Sequence, residues 1–335
     1  MTPLIEVRGL TMRYPIQGGF MDGVLPGRRR TLTALDGVDL DIAPGEIFSL
    51  VGESGSGKTT LGRALLRLVE PTSGEVRFRG EDVLSMGPAR LRAARRDLQM
   101  VFQDPWSSLN PRLTVGQILG EVLHVHDIAR GAAAKARVRE LLDLVGLPPE
   151  AADRYPRHFS GGQRQRIGIA RALAVDPEII VADEPVSAVD VSVQAQIMNL
   201  LLDLRERLGL TLLMIAHDLS VVRYVSDRVA VMYLGRIVEN APAAEIFANP
   251  RHPYTRGLMA AAPRTRPNAR RDSAAIIGEP PSPLSPPPGC AFNPRCGFAD
   301  NGCRERPPPL EDLGGTHQVR CFKHASVGDP ALASS

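Results

Sequence analysis

The sequence predicts an α/β fold with a parallel core sheet, an antiparallel edge subdomain and an inserted helical subdomain. Three observations carry that expectation. Short apolar runs at residues 47–51, 179–182 and 211–216 have the length and continuity of strands buried on both faces. Patterns of helical period follow these runs, the alternation of a doubly covered sheet. Residues 84–160 are mostly helical in pattern and separate the first strands from the next core strand, which reads as an insertion.

In chain order, residues 4–10 and 38–42 read as antiparallel edge strands, and Ala43-Pro44-Gly45 turns into the run at 47–51. Between the edge strands, residues 17–30 are Gly-rich and end in Arg28-Arg29-Arg30, a surface loop whose reading as a solvated insertion is favoured over a phosphate or partner contact. Tyr14, just before it, either packs on the edge strand or offers a stacking platform for adenine. A helix from Lys58 is expected to end near Val69, before Glu70-Pro71, and residues 75–79 alternate as a strand. Amphipathic stretches at 91–98 and 138–147 are helical, with a strand at 99–103 between them. A helix is expected from about Ser192 to Leu208, and residues 229–233 and 236–239 form a hairpin around Leu234-Gly235. Beyond residue 250 the character changes, and Pro280-Pro281 and Pro286-Pro287-Pro288 are linker of polyproline type. The expected domains are therefore 1–250, with the helical subdomain at about 84–160, and a C-terminal extension at 251–335.

Length and composition set limits. A chain of 335 residues, 43% apolar and 23% charged, fits two globular domains. No apolar stretch approaches the roughly 20 residues that span a bilayer, and the N-terminus lacks a signal-peptide pattern. The expected place is the cytoplasm, with peripheral attachment to the membrane's cytoplasmic face only through a partner. A net charge of +3 gives no ground for a nucleic-acid partner.

The chemistry centres on Gly52-Glu53-Ser54-Gly55-Ser56-Gly57-Lys58-Thr59-Thr60, which fits the phosphate-loop pattern G-x-x-x-x-G-K-[ST] without a mismatch. Its glycines let successive N–H groups face a phosphate, and the helix that follows adds its positive end. Lys58 reaches the β- and γ-phosphates and the Thr59 hydroxyl holds Mg²⁺. The chain has only three lysines, Lys58, Lys135 and Lys323, against 40 basic residues in all, so a lysine kept here points to a need for a compact ammonium. Asp183 at a strand end can hold Mg²⁺ through water, and Glu184 beside it can act as general base; the alternative is a helix cap. His217 ends the next strand on the same edge, where a buried structural histidine is the alternative. Ser160-Gly161-Gly162-Gln163 opens a helix and offers a second anion site, or an ordinary capped helix. Two phosphate-binding helix ends in one chain are most simply used by a head-to-tail dimer, each ATP lying between two chains.

These residues resemble the ATP-binding subunits of ABC transporters over roughly residues 4–250. G-E-S-G-S-G-K-T-T is similar to Walker A, V-F-Q-D-P to the Q-loop, F-S-G-G-Q to the signature, I-I-V-A-D-E to Walker B, S-A-V-D to the D-loop and I-A-H-D to the switch histidine. The resemblance implies a P-loop NTPase of ABC type with ATP and Mg²⁺ as cofactors. Gln103 would sense Mg²⁺ and couple to a transmembrane partner, Glu184 would be the catalytic base, and His217 would contact the γ-phosphate. Tyr14 would stack on adenine, Ser160 to Gln163 would act on the partner's ATP, and Asp190 would serve the D-loop, in which Val189 stands where leucine is usual. D-P-W-S-S-L-N-P-R, S-V-Q-A-Q-I-M-N-L-L and N-P-R-H-P-Y-T-R-G-L narrow the resemblance to dipeptide/oligopeptide importers, and within them to the second, F-type ATPase of a pair. That implies a paralogous ATPase as heterodimer partner, two transmembrane permeases and, indirectly, an extracytoplasmic peptide-binding protein. Nickel and glutathione systems use similar ATPases. A soluble non-transport ABC ATPase is a weaker reading, since such chains usually carry two cassettes or a long coiled coil; a binding-only regulator would be expected to lack Glu184.

All four cysteines, Cys290, Cys296, Cys303 and Cys321, lie in the extension. In a reducing compartment that grouping points to a metal before disulfides. Gaps of five and six residues fit a zinc ribbon poorly. Four thiolates can hold a [4Fe–4S] cluster, which the importer resemblance also implies for some members; zinc or unliganded thiols are the alternatives.

Overall fold

A computed structural model describes residues 2–16, 31–187, 189–261 and 276–327. The Arg28-Arg29-Arg30 loop lies outside the described residues. Strand β1 (Ile5–Pro15) pairs antiparallel with β2 (Thr31–Ile42), Ile5 opposite Ile42 and Val7 opposite Leu40. Alternation, reset by an irregularity between Val7 and Leu10, puts Ile5, Val7, Leu10 and Met12 of β1 inside. β3 (Ile47–Val51) is buried at every position and runs into helix α1 (Lys58–Leu65). β4 (Ser73–Phe78) pairs with the other edge of β1, and β5 (Glu81–Asp82) follows it.

Next come α2 (Pro88–Asp97), β6 (Leu98–Val101), the short α3 (Pro105–Ser108), α4 (Val115–Val125), α5 (Gly131–Leu144) and α6 (Gly161–Leu173). β7 (Ile179–Asp183), α7 (Val191–Leu208), β8 (Thr211–Ala216) and α8 (Leu219–Val225) lead to the hairpin of β9 (Arg228–Tyr233) and β10 (Arg236–Pro242). The C-terminal part holds α9 (Ala243–Ala248), α10 (Pro253–Ala261), α11 (Asn301–Glu305), β11 (Glu311–Asp312), β12 (Gln318–Val319) and α12 (His324–Val327).

The chain forms two compact units, one of Met1–Ile42, Phe48–Leu84 and Ala216–Ser335, the other of Ala43–Ile47 and Ser85–Ile215. In the first, β2-β1-β4-β5 make the antiparallel edge sheet. A second set runs β11-β12-β10-β9-β3, in which β3 lies parallel to β9 with Val51 beside Val231. In the second unit β6, β7 and β8 are parallel neighbours, Leu98 beside Ile179 and Ile179 beside Thr211. Both kinds of strand end point their C-termini at loops that carry the sequence motifs, the usual place for ligands in α/β sheets. The helices of this unit are amphipathic. α4 opens with a capping box between Thr114 and Gln117 and buries Val115, Ile118, Leu119 and Leu123, while α5 buries Val138, Leu141 and Leu142.

Two local features differ from the sequence expectation. α1 ends at Leu65 rather than near Val69. Leu68 N–H donates to Arg63 C=O and Arg67 N–H to Ala64 C=O, a Schellman closure with Arg67 at φ 47°. Within residues 84–160 the strand expected at 99–103 is β6, Leu98–Val101, which pairs with β7. The extension is more than linker, because β12 pairs with β10, Val319 opposite Glu239. Glu239 is fully buried and anchors this packing. Its carboxylate accepts from the backbone N–H groups of Arg251 and His252 and lies 2.9 Å from His317 Nε2. Burial pushes the His252 imidazole down to about 4, so at pH 7 it is neutral and its Nδ1 accepts from Tyr254 N–H at 3.1 Å.

Candidate nucleotide-binding elements and the cysteine pocket

The phosphate loop follows β3. Gly52 sits at φ 154°, and a Cβ there would stand 2.2 Å from Met232 C=O; at Gly57, φ 107°, it would meet Ala34 C=O at 2.4 Å. Both positions exclude any other residue, and their packing bends the loop back over the start of α1. Lys58 is 5% exposed, and its ammonium donates to Gly52 C=O at 2.7 Å, Glu53 C=O at 2.9 Å and Ser56 Oγ at 3.4 Å. The charge therefore stands inside the curl of the loop. α1 has no side-chain cap and no acid in its first turn, which leaves its positive end for an anion. Ser56 fixes the far side of the loop, since its carbonyl accepts from Gly235 N–H at 2.9 Å. Tyr14 is half-buried on β1 opposite Leu32. His217 is exposed, which removes the buried structural reading, and Asp218 after it caps α8 by accepting from Ser220 N–H.

In the second unit Asp183, 1% exposed, ends β7. Glu184 follows with φ 44°, uncommon for a non-glycine residue and costing about 1–3 kcal/mol. The conformation is held from both sides: Glu184 N–H donates to Ile215 C=O at 2.9 Å, and its carbonyl accepts from Ser187 Oγ at 3.1 Å. Its carboxylate accepts from Gln103 Nε2 at 2.7 Å, so two residues 81 apart in sequence meet. Asp104, next to Gln103, caps α3 through Trp106 N–H. Ser160 and Gln163 form a capping box at the start of α6, Gln163 N–H donating to Ser160 Oγ and Ser160 N–H to Gln163 Oε1. The second anion site expected there is thus also a helix end with a capping box. Gly161 and Gly162 lie in the first turn, which has no acid. Asp190 is the N-cap residue of α7 without a side-chain cap bond.

The four cysteines, spread over 32 residues of sequence, line one pocket with His252, Phe292, Asn293 and Lys323. All four are free thiols. Cys290 N–H donates to Cys303 C=O at 2.8 Å, which closes the turn at residues 290–303. Burial pushes the Cys321 thiol up to about 12, the Cys296 thiol up to about 11 and the Cys290 thiol up from its ordinary value. Each is therefore protonated at pH 7 unless a metal takes the proton's place. As they lie, no three His, Cys, Asp or Glu side chains among the described residues form a ligand set for a metal ion.

A feature without a sequence signal joins this pocket's turn to the phosphate loop. Arg295, 5% exposed, donates from both terminal nitrogens to the Glu53 carboxylate, at 2.7 and 3.0 Å. The pairing raises the guanidinium pKa, with the hydrogen bond to Glu53 as the largest cause. Glu53 N–H donates to Tyr254 Oη at 2.8 Å, so this loop N–H is committed to the extension. Tyr233, Tyr254 and Phe292 pack with ring centroids 4.6, 5.3 and 5.4 Å apart and support the pair from below. The partners lie 242 residues apart, so no local pattern could have found them.

A phosphate loop between a parallel strand and a helix defines a P-loop nucleoside triphosphatase. Residues 35–187 match the ABC transporter family, and residues 238–303 match the oligopeptide/dipeptide transporter C-terminal region. Dipeptide transport ATP-binding protein DppF of Escherichia coli is 48% identical over 320 residues, 96% of this chain and 94% of that protein. DppF of Haemophilus influenzae is 47% identical over 321 residues, 96% of this chain and 97% of its own. Among solved structures, the ATP-binding cassette MJ0796, as a dimer in a post-hydrolysis state bound to ADP and Pi, is 32% identical with a TM-score of 0.61, covering 71% of this chain and 98% of its own. The chain belongs to the family of ATP-binding subunits of dipeptide and oligopeptide ABC importers. It has the ABC-type P-loop fold and is an ATP-hydrolysing subunit, for which ATP with Mg²⁺ is the expected substrate complex. No helix among the described residues is long and apolar enough to cross a membrane. Membership of the dipeptide and oligopeptide importer family implies transmembrane permease partners.

Proposed function

We propose that this chain is one of two ATPase subunits that drive uptake of di- and oligopeptides through two permeases, attached peripherally to the cytoplasmic face of the membrane. The observation that carries the solute class is the match of residues 238–303 to the oligopeptide/dipeptide C-terminal region. Residues 1–250 form the nucleotide-binding domain in this reading and 251–335 the importer-specific extension. The second ATPase is a paralogue, and an extracytoplasmic peptide-binding protein delivers the solute.

In the proposed mechanism the N–H groups of Ser54 to Thr60 and the Lys58 ammonium bind the β- and γ-phosphates, and Tyr14 stacks on adenine. Thr59, Gln103 and Asp183 would hold Mg²⁺, which supplies charge neutralisation of the phosphates when bound. Glu184 takes the proton of the attacking water, His217 contacts the γ-phosphate, and Ser160, Gly161, Gly162 and Gln163 serve the ATP of the partner subunit, with Asp190 between them. The hydrogen bond from Gln103 to Glu184 supports a link between the coupling glutamine and the base. Hydrolysis then reopens a clamp that ATP had closed. Reconstituted with both permeases and the second ATPase, the complex is expected to accumulate labelled dipeptide in vesicles only with ATP. Assembly and ATP hydrolysis without peptide uptake would overturn the solute assignment.

Cys290, Cys296, Cys303 and Cys321 are the proposed ligands of a [4Fe–4S] cluster. Support comes from donor chemistry, four thiols on one pocket. A cluster would cross-link the turn at 290–303 to Cys321 and hold the thiolates that burial alone disfavours. Protein purified without oxygen is expected to be brown, with iron and sulfide near four of each per chain on the order expected for such a cluster. Colourless protein with stoichiometric zinc, or with neither metal, sinks the assignment.

A further inference from the structure

We propose that Arg295 is a positioning residue for nucleotide binding, holding the phosphate loop in its binding shape through Glu53. Two independent contacts join the extension to the same loop residue: the two-pronged ion pair to the Glu53 carboxylate and the bond from Glu53 N–H to Tyr254 Oη. Glu53 lies one residue after Gly52, whose φ of 154° admits no other residue, and its carbonyl is one of the oxygens that hold the Lys58 ammonium. Clamping Glu53 therefore fixes both the bend of the loop and the position of its cation. The clamp is rigid on the extension side. Arg295 ends a short turn, its N–H donates to Phe292 C=O at 3.0 Å, and the Phe292 ring is buried against Tyr233 and Tyr254.

The inference goes beyond the family reading, because it assigns a part in ATP binding to a residue outside every nucleotide motif. It also gives the cysteine pocket a route to the nucleotide, since Cys296 is the next residue in the chain. A planar guanidinium suits this place: only a fork can bind both carboxylate oxygens at once, and the Tyr233 and Phe292 rings lie 5.9 and 6.0 Å from its centre.

The test uses the purified full chain and calorimetric titration with Mg-ATP, together with kcat and KM of the assembled transporter. Arg295→Gln is expected to weaken ATP binding about 10-fold and to raise KM by a like factor, with kcat at saturating ATP kept within about 2-fold. Glu53→Gln removes the ion pair from its more exposed end without touching the extension, and is expected to weaken ATP binding by a like factor. Arg295→Lys restores part of the affinity. The double variant Arg295→Gln/Glu53→Gln should be no worse than either single change, because both remove one contact. Unchanged ATP affinity in Glu53→Gln, or additive losses in the double variant, overturns the proposal.

Discussion

Glutamine in place of Glu184 is expected to slow ATP hydrolysis by about 100- to 10,000-fold, the usual worth of a general base. ATP affinity should persist, and the ATP-bound dimer should accumulate and be seen by gel filtration. The substitution is well suited to isolate proton transfer. Glutamine has the same shape, can still accept from Gln103 Nε2 through its own oxygen, and leaves the backbone bonds to Ile215 and Ser187 untouched. The left-handed backbone at φ 44° would remain held by those bonds. Any loss of rate would then belong to the carboxylate. Phosphate release by the assembled transporter measures it, and a rate equal to that of the unaltered protein would show that another group takes the proton.

Alanine at Lys58 is expected to weaken Mg-ATP binding by about 100-fold or more, since at least two charge-assisted hydrogen bonds worth roughly 1.5–3 kcal/mol each are removed. Lys58 also ties together Gly52, Glu53 and Ser56, so the loop loses its internal brace as well. Arginine should not rescue binding, because a planar fork is longer and wider than the ammonium it replaces in a space bounded by three loop oxygens. Calorimetric titration gives the affinity, and circular dichroism of each variant checks that the fold is kept. Binding of ATP by Lys58→Ala with affinity near that of the unaltered chain would remove Lys58 from the phosphate site.

The legible parts of this protein are those whose signal is local. β3 is a continuous apolar run ending in a fixed glycine–lysine spacing, and no tertiary information is needed to see it. The strands β7 and β8 and the hairpin of β9 and β10 are equally plain, since each is a buried run punctuated by Gly, Asp or His. The sequence pattern carries α1 four residues past its observed end because the closure uses Arg67 in the left-handed region, where glycine is the usual marker and arginine gives none. β11 and β12 have two residues each, too few to show a period of 2, and lie in a stretch rich in proline. The pairing of Glu53 with Arg295 is invisible for a different reason: charge pairs across 242 residues are specified by the packed aromatic cluster beneath them, not by spacing. The cysteines show both sides. Their grouping is readable in the sequence, whereas their protonation depends on burial that only the fold supplies.

The two short strands of the extension have a consequence for the protein's behaviour in a crowded cell. β10 has β9 on one side and, without β12, would present open N–H and C=O groups on the other, a ready template for pairing with a second molecule. β12 covers that side at Glu239 and Asn240, and β11 then covers β12. What is left at the margin is a strand of two residues, Glu311 and Asp312, both acidic and too short to recruit another chain. The extension thus replaces an open edge of β10 with a two-residue acidic strand, the kind of blunt margin that resists edge-to-edge pairing.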